Sequence, residues 1–170
     1  AIPVRVEDLL EHPPGDEIVF HDQYFHGVLL WGEPRPPHFN RIRHEESGFE
    51  SFCGERRSQK ENKSIAVFRL RLLLARGVRR NVPGAGYHPS PLWKERRQGN
   101  KLPVNPKHQD YPALLSEALD VIHARGFDVA GAAGELGVTM SQLARLVRHD
   151  RKAFAAVNEG RTARGLPPLK

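Results

Sequence analysis

GERRSQKENKSIAVFRLRLLLAR, residues 54–76, is the stretch from which the rest of the chain is best read. Ser58 followed by Glu61 has the spacing of a capping box, in which a hydroxyl and a carboxylate satisfy the first free amides of a helix. The helix predicted from it covers residues 59–76. Ile65, Phe68 and Leu72 fall on one stripe with Leu73 beside them, while Lys60, Lys63 and Arg71 lie elsewhere. One face is built to pack and the others to stay charged. Immediately upstream, residues 39–45 and 48–53 flank the turn formers Glu46, Ser47 and Gly48, which predicts a β-hairpin leading into that helix.

The 170 residues carry a net charge of +6, unevenly spread. Residues 1–40 hold two arginines against seven acids, residues 41–108 sixteen basic side chains against six acids, and residues 109–170 eight against seven. The middle third is the part that faces a polyanion. Lysine and arginine at this density bind a phosphate backbone by displacing its condensed counterions, so nucleic acid is the first partner to consider and an acidic membrane surface the second. A single cysteine, Cys53, excludes an internal disulfide framework and a multi-cysteine zinc site. No apolar run is long enough to span a bilayer, and the opening AIPVRVEDLLEHPPGDE is too acidic for a signal peptide. The expectation is a soluble, cytoplasmic protein.

Elsewhere, residues 4–11 read as a short helix stopped by Pro13, Pro14 and Gly15, residues 17–21 as a strand, and residues 26–38 as a long loop broken by proline and glycine. Residues 77–108 are proline-rich and basic with little periodicity, which predicts a linker or extended arm. From Tyr111 the helical period returns: Pro112 suits a first turn, Leu115, Leu119 and Ile122 share a face, and Gly126 offers a stop. Asp128, Thr139 and Asp150 are placed to cap three further helices. The segment AAGELGVTMSQLARLVR, residues 132–148, has the spacing of a helix-turn-helix, with Leu136, Val138, Leu143, Leu146 and Val147 filling the angle.

Residues 41–75, RIRHEESGFESFCGERRSQKENKSIAVFRLRLLLA, resemble the second half of the catalytic domain of class I peptide chain release factors and of small ribosome-rescue peptidyl-tRNA hydrolases. The matching features are Arg41 to His44, Gly48, Cys53, and Arg57-Ser58-Gln59 with Asn62 one turn on. They cover about a fifth of the chain. Residues 101–117, the helix-turn-helix segment and the ending VNEGRTARGLPPLK are similar to the extension of a bacterial branch of release-factor-like proteins. The resemblance implies an α+β fold: a small release-factor-type domain over residues 1–80, a basic linker over 81–108 and a helical, helix-turn-helix-like domain over 109–170. It also implies the ribosome as partner, through ribosomal RNA and peptidyl-tRNA, with ester hydrolysis as the ancestral reaction and neither metal nor organic cofactor. In that family a Gly-Gly-Gln loop holds the attacking water. Here Gly27, Val28, Leu29, Leu30 and Trp31 stand in its place and the chain has no Gly-Gly pair, so no catalytic residue is carried over. Either the chain binds ribosomes without hydrolysis, or an active lineage has been altered at this loop.

The expected RNA contacts are Arg56, Arg57, Lys60 and Lys63 at a helix N-terminus, whose amides also favour anions, and Arg79, Arg80, Lys94, Arg96, Arg97 and Lys101 along an arm with Tyr87 and Trp93 as base-stacking aromatics. The competing reading of each group is a solvated basic face. Cys53 beside His44 suggests a nucleophile and base less than it does a small buried hydrophobe. His21, His26, His38 and His44, with Asp22, match no ligand spacing. The rival function is a DNA-binding regulator reading the groove with Met140, Ser141, Gln142, Arg145 and Arg148; a third is a protein-interaction module.

Overall fold

The computed structural model describes residues 39–170 together with the backbone of two short strands nearer the N-terminus. The chain is α+β and divides into two compact units, residues 1–74 and 75–170. Among the described residues no helix is long and apolar enough to cross a membrane.

The first unit is built on an antiparallel sheet of order β1-β2-β3-β4: β1 (Val4–Arg5), β2 (Glu17–Val19), β3 (Asn40–His44) and β4 (Glu50–Cys53). Val4 and Arg5, expected in a helix, instead pair with Ile18 and Glu17, and Glu17–Val19 lie in the strand expected there. The loop expected over 26–38 lies outside the described residues. The predicted hairpin forms with Asn40 opposite Cys53 and Ile42 opposite Ser51. Gly48 takes φ +70° in its turn, a conformation that costs glycine nothing, and its amide donates to the His44 carbonyl.

Helix α1 (Gln59–Gly77) follows, within one residue of its predicted extent. Its stripe differs. The buried positions are Asn62, Ala66, Leu70 and Leu74, one every four residues, with Ala75 beside the last, whereas Ile65, Phe68, Leu72 and Leu73 are half-buried. Ala66, Leu70 and Leu74 form one core cluster with Ile42 and Cys53, and Phe49, Ile65 and Val67 pack against it. Alternation explains the strand side, where Ile42 and Cys53 point inward and Arg41, Arg43 and Phe52 outward.

The second unit contains α2 (Pro91–Arg96), α3 (Tyr111–Ala124), α4 (Val129–Glu135), α5 (Met140–Arg148) and α6 (Arg151–Thr162). The three caps expected from the sequence are all made: Asp128 accepts from the Ala130 amide, Thr139 from Gln142 and Asp150 from Ala153. α3 packs on α4 and α5, and α5 on α6. Leu136, Val138, Leu143, Leu146 and Val147 are buried, as the helix-turn-helix spacing requires. Gly137 takes φ +68° at the turn, and the Arg97 guanidinium lies where a Cβ would go.

Residues 81–108 are a correction. They are not a free linker but belong to the second unit, where they wrap its helices. Trp93 is 0 % exposed and donates its indole N–H to the Leu136 carbonyl at 2.9 Å, at the junction between α4 and α5. Leu102 is buried, Arg125 donates to the Gly84 carbonyl and the Tyr87 amide to Glu135. Burying one indole outweighs the lack of periodicity around it. Trp93→Ala is expected to cost about 3–5 kcal/mol, as truncation of a buried aromatic does, and Trp93→Phe about 1–3 kcal/mol through the unpaired Leu136 carbonyl. Urea unfolding of the full chain, followed by circular dichroism, measures both.

Candidate nucleic-acid interface

The turn from β4 into α1 is held by one buried amide. Asn62 is 0 % exposed; its Oδ1 accepts from the Arg56 amide at 2.9 Å and from the Cys53 thiol at 3.3 Å, and its Nδ2 donates to the Arg56 carbonyl at 2.8 Å. Both backbone groups of Arg56 are therefore fixed by a side chain from the second turn of the helix. A second amide, Asn40, donates to the Gln59 carbonyl from β3. Ser58 accepts from the Glu61 amide at 3.4 Å, the hydroxyl half of the predicted capping box. The outcome is an ordered loop with Arg56, Arg57, Lys60 and Lys63 all exposed around the start of α1. The acid closest in sequence to the two arginines, Glu55, is held by Arg69 at 2.7 Å. Positive charge and helix-end amides thus occupy one end of α1, an arrangement that favours phosphate.

The outer face of the hairpin adds a feature that the sequence reading missed. Phe39 and Phe52 are 38 % and 63 % exposed and their rings stack with centroids 5.9 Å apart. Arg41 and Arg43 share that face and pair with Glu50. Strict alternation in β3 and β4 was the signal for this outward row.

Cys53 and His44 sit on the inner face and are committed to structure. His44 Nδ1 lies 2.8 Å from the Ser47 hydroxyl and 3.2 Å from the Ser47 amide, while its Nε2 is buried and has no hydrogen-bond partner among the described residues. Among the described residues no cluster of histidine, cysteine or carboxylate is arranged to hold a metal. His21, His26, His38 and Asp22, and the loop Gly27, Val28, Leu29, Leu30 and Trp31, lie outside the described residues.

The second basic group is divided by the structure. Arg79 is engaged: it pairs with buried Asp120 at 2.9 Å and donates to the Ala75 carbonyl. Arg96 pairs with Asp110, and Arg97 donates to the Gly137 carbonyl at 3.0 Å. Arg80, Lys94 and Lys101 are exposed. The expected stacking aromatics are corrected too, since Trp93 is core and Tyr87 is half-buried with its hydroxyl on Glu117 at 3.1 Å. Burial and the neighbouring Glu117 push the Tyr87 phenol well above its ordinary range.

Helix α5 leaves Met140, Ser141, Arg145 and Arg148 at the surface, but Gln142 accepts from the Leu102 amide and Arg148 lies over the Phe154 ring. The Thr139 amide, at the end that a groove reader inserts, donates to the Asn100 carbonyl. Part of the expected reading face is therefore covered by the chain itself. No protein-family model, curated protein or solved structure matches the chain.

Asn62→Ala is expected to cost about 1–3 kcal/mol, the penalty for leaving the Arg56 backbone groups unpaired. It should also open the loop locally, so that trypsin cleaves after Arg56 and Arg57 faster than in the parent chain; mapping the first cleavages by mass spectrometry checks this. For the Arg79–Asp120 pair, burial raises the Asp120 carboxyl above its ordinary value of 3.8 against the pull of Arg79, and burial also lowers Arg79. Folded Asp120 then binds a proton more readily than unfolded Asp120, so its contribution to stability falls as pH rises from 3.8 through the folded value. Asp120→Asn removes that slope. Urea midpoints of both chains across this range should show the parent losing its advantage as pH rises.

Proposed function

We propose that this chain engages the ribosome in translation termination or in rescue of stalled ribosomes, with the first unit acting as a release-factor-type domain in the cytoplasm. The observation that carries the reading is the Asn62-clamped turn, which holds Arg56 and Arg57 beside the N-terminal amides of α1 with Lys60 and Lys63 close in sequence. A rigid cationic helix end is suited to ribosomal RNA or tRNA phosphates, because little side-chain and loop entropy is lost when the anion arrives. The hairpin followed by Arg57-Ser58-Gln59 and Asn62 is the order of features on which the resemblance to release factors rests. The exposed Phe39–Phe52 pair, flanked by Arg41 and Arg43, suits stacking of an unpaired base.

Peptidyl-tRNA ester hydrolysis is the ancestral reaction on this reading. The residues in place of Gly-Gly-Gln supply no side chain to hold water, so hydrolysis by this chain would depend on backbone groups of residues 27–32. The second reading, a DNA-binding regulator, is favoured by the α4–Gly137–α5 geometry with Arg145 and Arg148 exposed. The covered Gln142 and Thr139 amide weigh against it.

Charge reversal of Arg56, Arg57, Lys60 and Lys63 together should abolish co-sedimentation with ribosomes. Reversing them one at a time should reduce the salt dependence by about 0.7–0.9 in log–log slope for each phosphate that the chain no longer neutralises. Unchanged co-sedimentation would remove the helix end from the interface. Displacement of the chain from ribosomes by a specific DNA duplex at physiological salt would favour the regulator.

A further inference from the structure

The second unit contains a cleft of about 430 Å³ between the strap formed by residues 98–105 and one side of α5. Its chemistry is one-sided. Lys101 from the strap and Arg145 and His149 from α5 and its C-terminal end line it, and no acidic residue does among the described residues. This contrasts with the rest of the unit, where Arg76, Arg79, Arg96 and Arg125 each meet a carboxylate. Lys101 and Arg145 are exposed and have no such partner among the described residues. Two cations left without counter-charges over a concave surface favour an anion strongly enough to orient it.

The remaining lining separates an inorganic anion from a larger ligand. Pro103 and Val104 add apolar lining, and Asn105 and Gln142 bring amide groups that can pair with the edge of a base. Gln142 uses its oxygen on the Leu102 amide, which leaves its NH₂ group to donate. The volume is that of a small ligand rather than of a duplex groove. We infer that this cleft is a nucleotide-sized site for single-stranded RNA, with a phosphate on Lys101 and Arg145 and a base over Pro103–Val104. An α-helix side and an extended strap, rather than the tip of α5, form the reading surface. The α4–α5 pair then serves to position Arg145 rather than to enter a major groove. The inference extends the ribosome reading to the second unit, and its test separates the two.

The test is fluorescence anisotropy of the full chain with a short fluorescein-labelled oligouridylate at low salt. Lys101→Glu combined with Arg145→Glu should weaken binding by about tenfold or more and lower the salt slope by about 0.7, the share of the one single-strand phosphate that the pair neutralises. Lys152→Glu with Lys170→Glu, an equal charge change at exposed positions outside the cleft, should leave affinity within about twofold. Lys101→Ala with Arg145→Ala, which removes the cations without adding acids, repeats the test should the reversals lower the thermal midpoint. Parental affinity in both cleft variants overturns the inference, as does failure of the parent chain to bind the oligonucleotide. Tighter binding of duplex DNA through the same two residues also overturns it. Loss of RNA binding only on reversal of Arg56 and Arg57 would overturn the cleft while leaving the ribosome reading intact.

Discussion

Asn62 sits where the first unit needs it most. An amide taken out of water without partners costs several kcal/mol, yet this one meets the Arg56 backbone on both sides and the Cys53 thiol, so its burial converts that cost into a fixed loop. The strand, the turn and the first two helical turns become one piece. Among the described residues the core beneath holds Ile42, Cys53, Ala66, Leu70 and Leu74, and apolar packing, being non-directional, does not by itself dictate how a loop leaves it. A polar clamp supplies that direction, and with it the orientation of the exposed cations. Specificity of this kind comes from hydrogen bonds whose alternative is an unsatisfied buried group.

The second unit solves the same problem with an aromatic. Trp93 fills the junction of α4 and α5 from outside the helix pair, and its N–H satisfies Leu136 where the helix ends. Arg97 then reaches Gly137 and Asn100 accepts from Thr139, so the strap follows the helix-turn-helix from its turn to the side of α5. A fold that would otherwise present α5 freely instead presents a helix with a lined cleft beside it. Packing and surface chemistry therefore have one origin.

The sequence disclosed what depends on near neighbours. Asp128, Thr139 and Asp150 were legible as caps because each serves an amide two or three residues on, and the hairpin because alternation and the Glu46–Ser47–Gly48 turn coincide. The α1 stripe was misplaced because the most apolar residues, Ile65, Phe68 and Leu72, drew the reading, whereas the sheet selects Asn62 and Ala66, one polar and one small. Residues 81–108 were misread because Trp93 is buried by partners more than forty positions away, which no local period records. Charge density marked the basic middle of the chain, but it did not separate Arg79 and Arg96, which are tied to Asp120 and Asp110, from Lys101, which is not. Ion pairs across tens of residues are decided by topology. The exposed row of Phe39, Arg41, Arg43 and Phe52 was within reach, since alternation alone places it outward.

The proposed function stands or falls on whether the first unit binds the ribosome where release factors bind. Single-turnover release of a labelled peptide from ribosomes with an empty A site, with bound protein quantified in the same reactions, tests it most directly. Saturable binding that an authentic release factor displaces is the expected result; release above the no-protein rate would add hydrolysis and direct attention to the backbone of residues 27–32. Absence of binding at protein concentrations that saturate an authentic factor would rule out a release-factor role for the first unit.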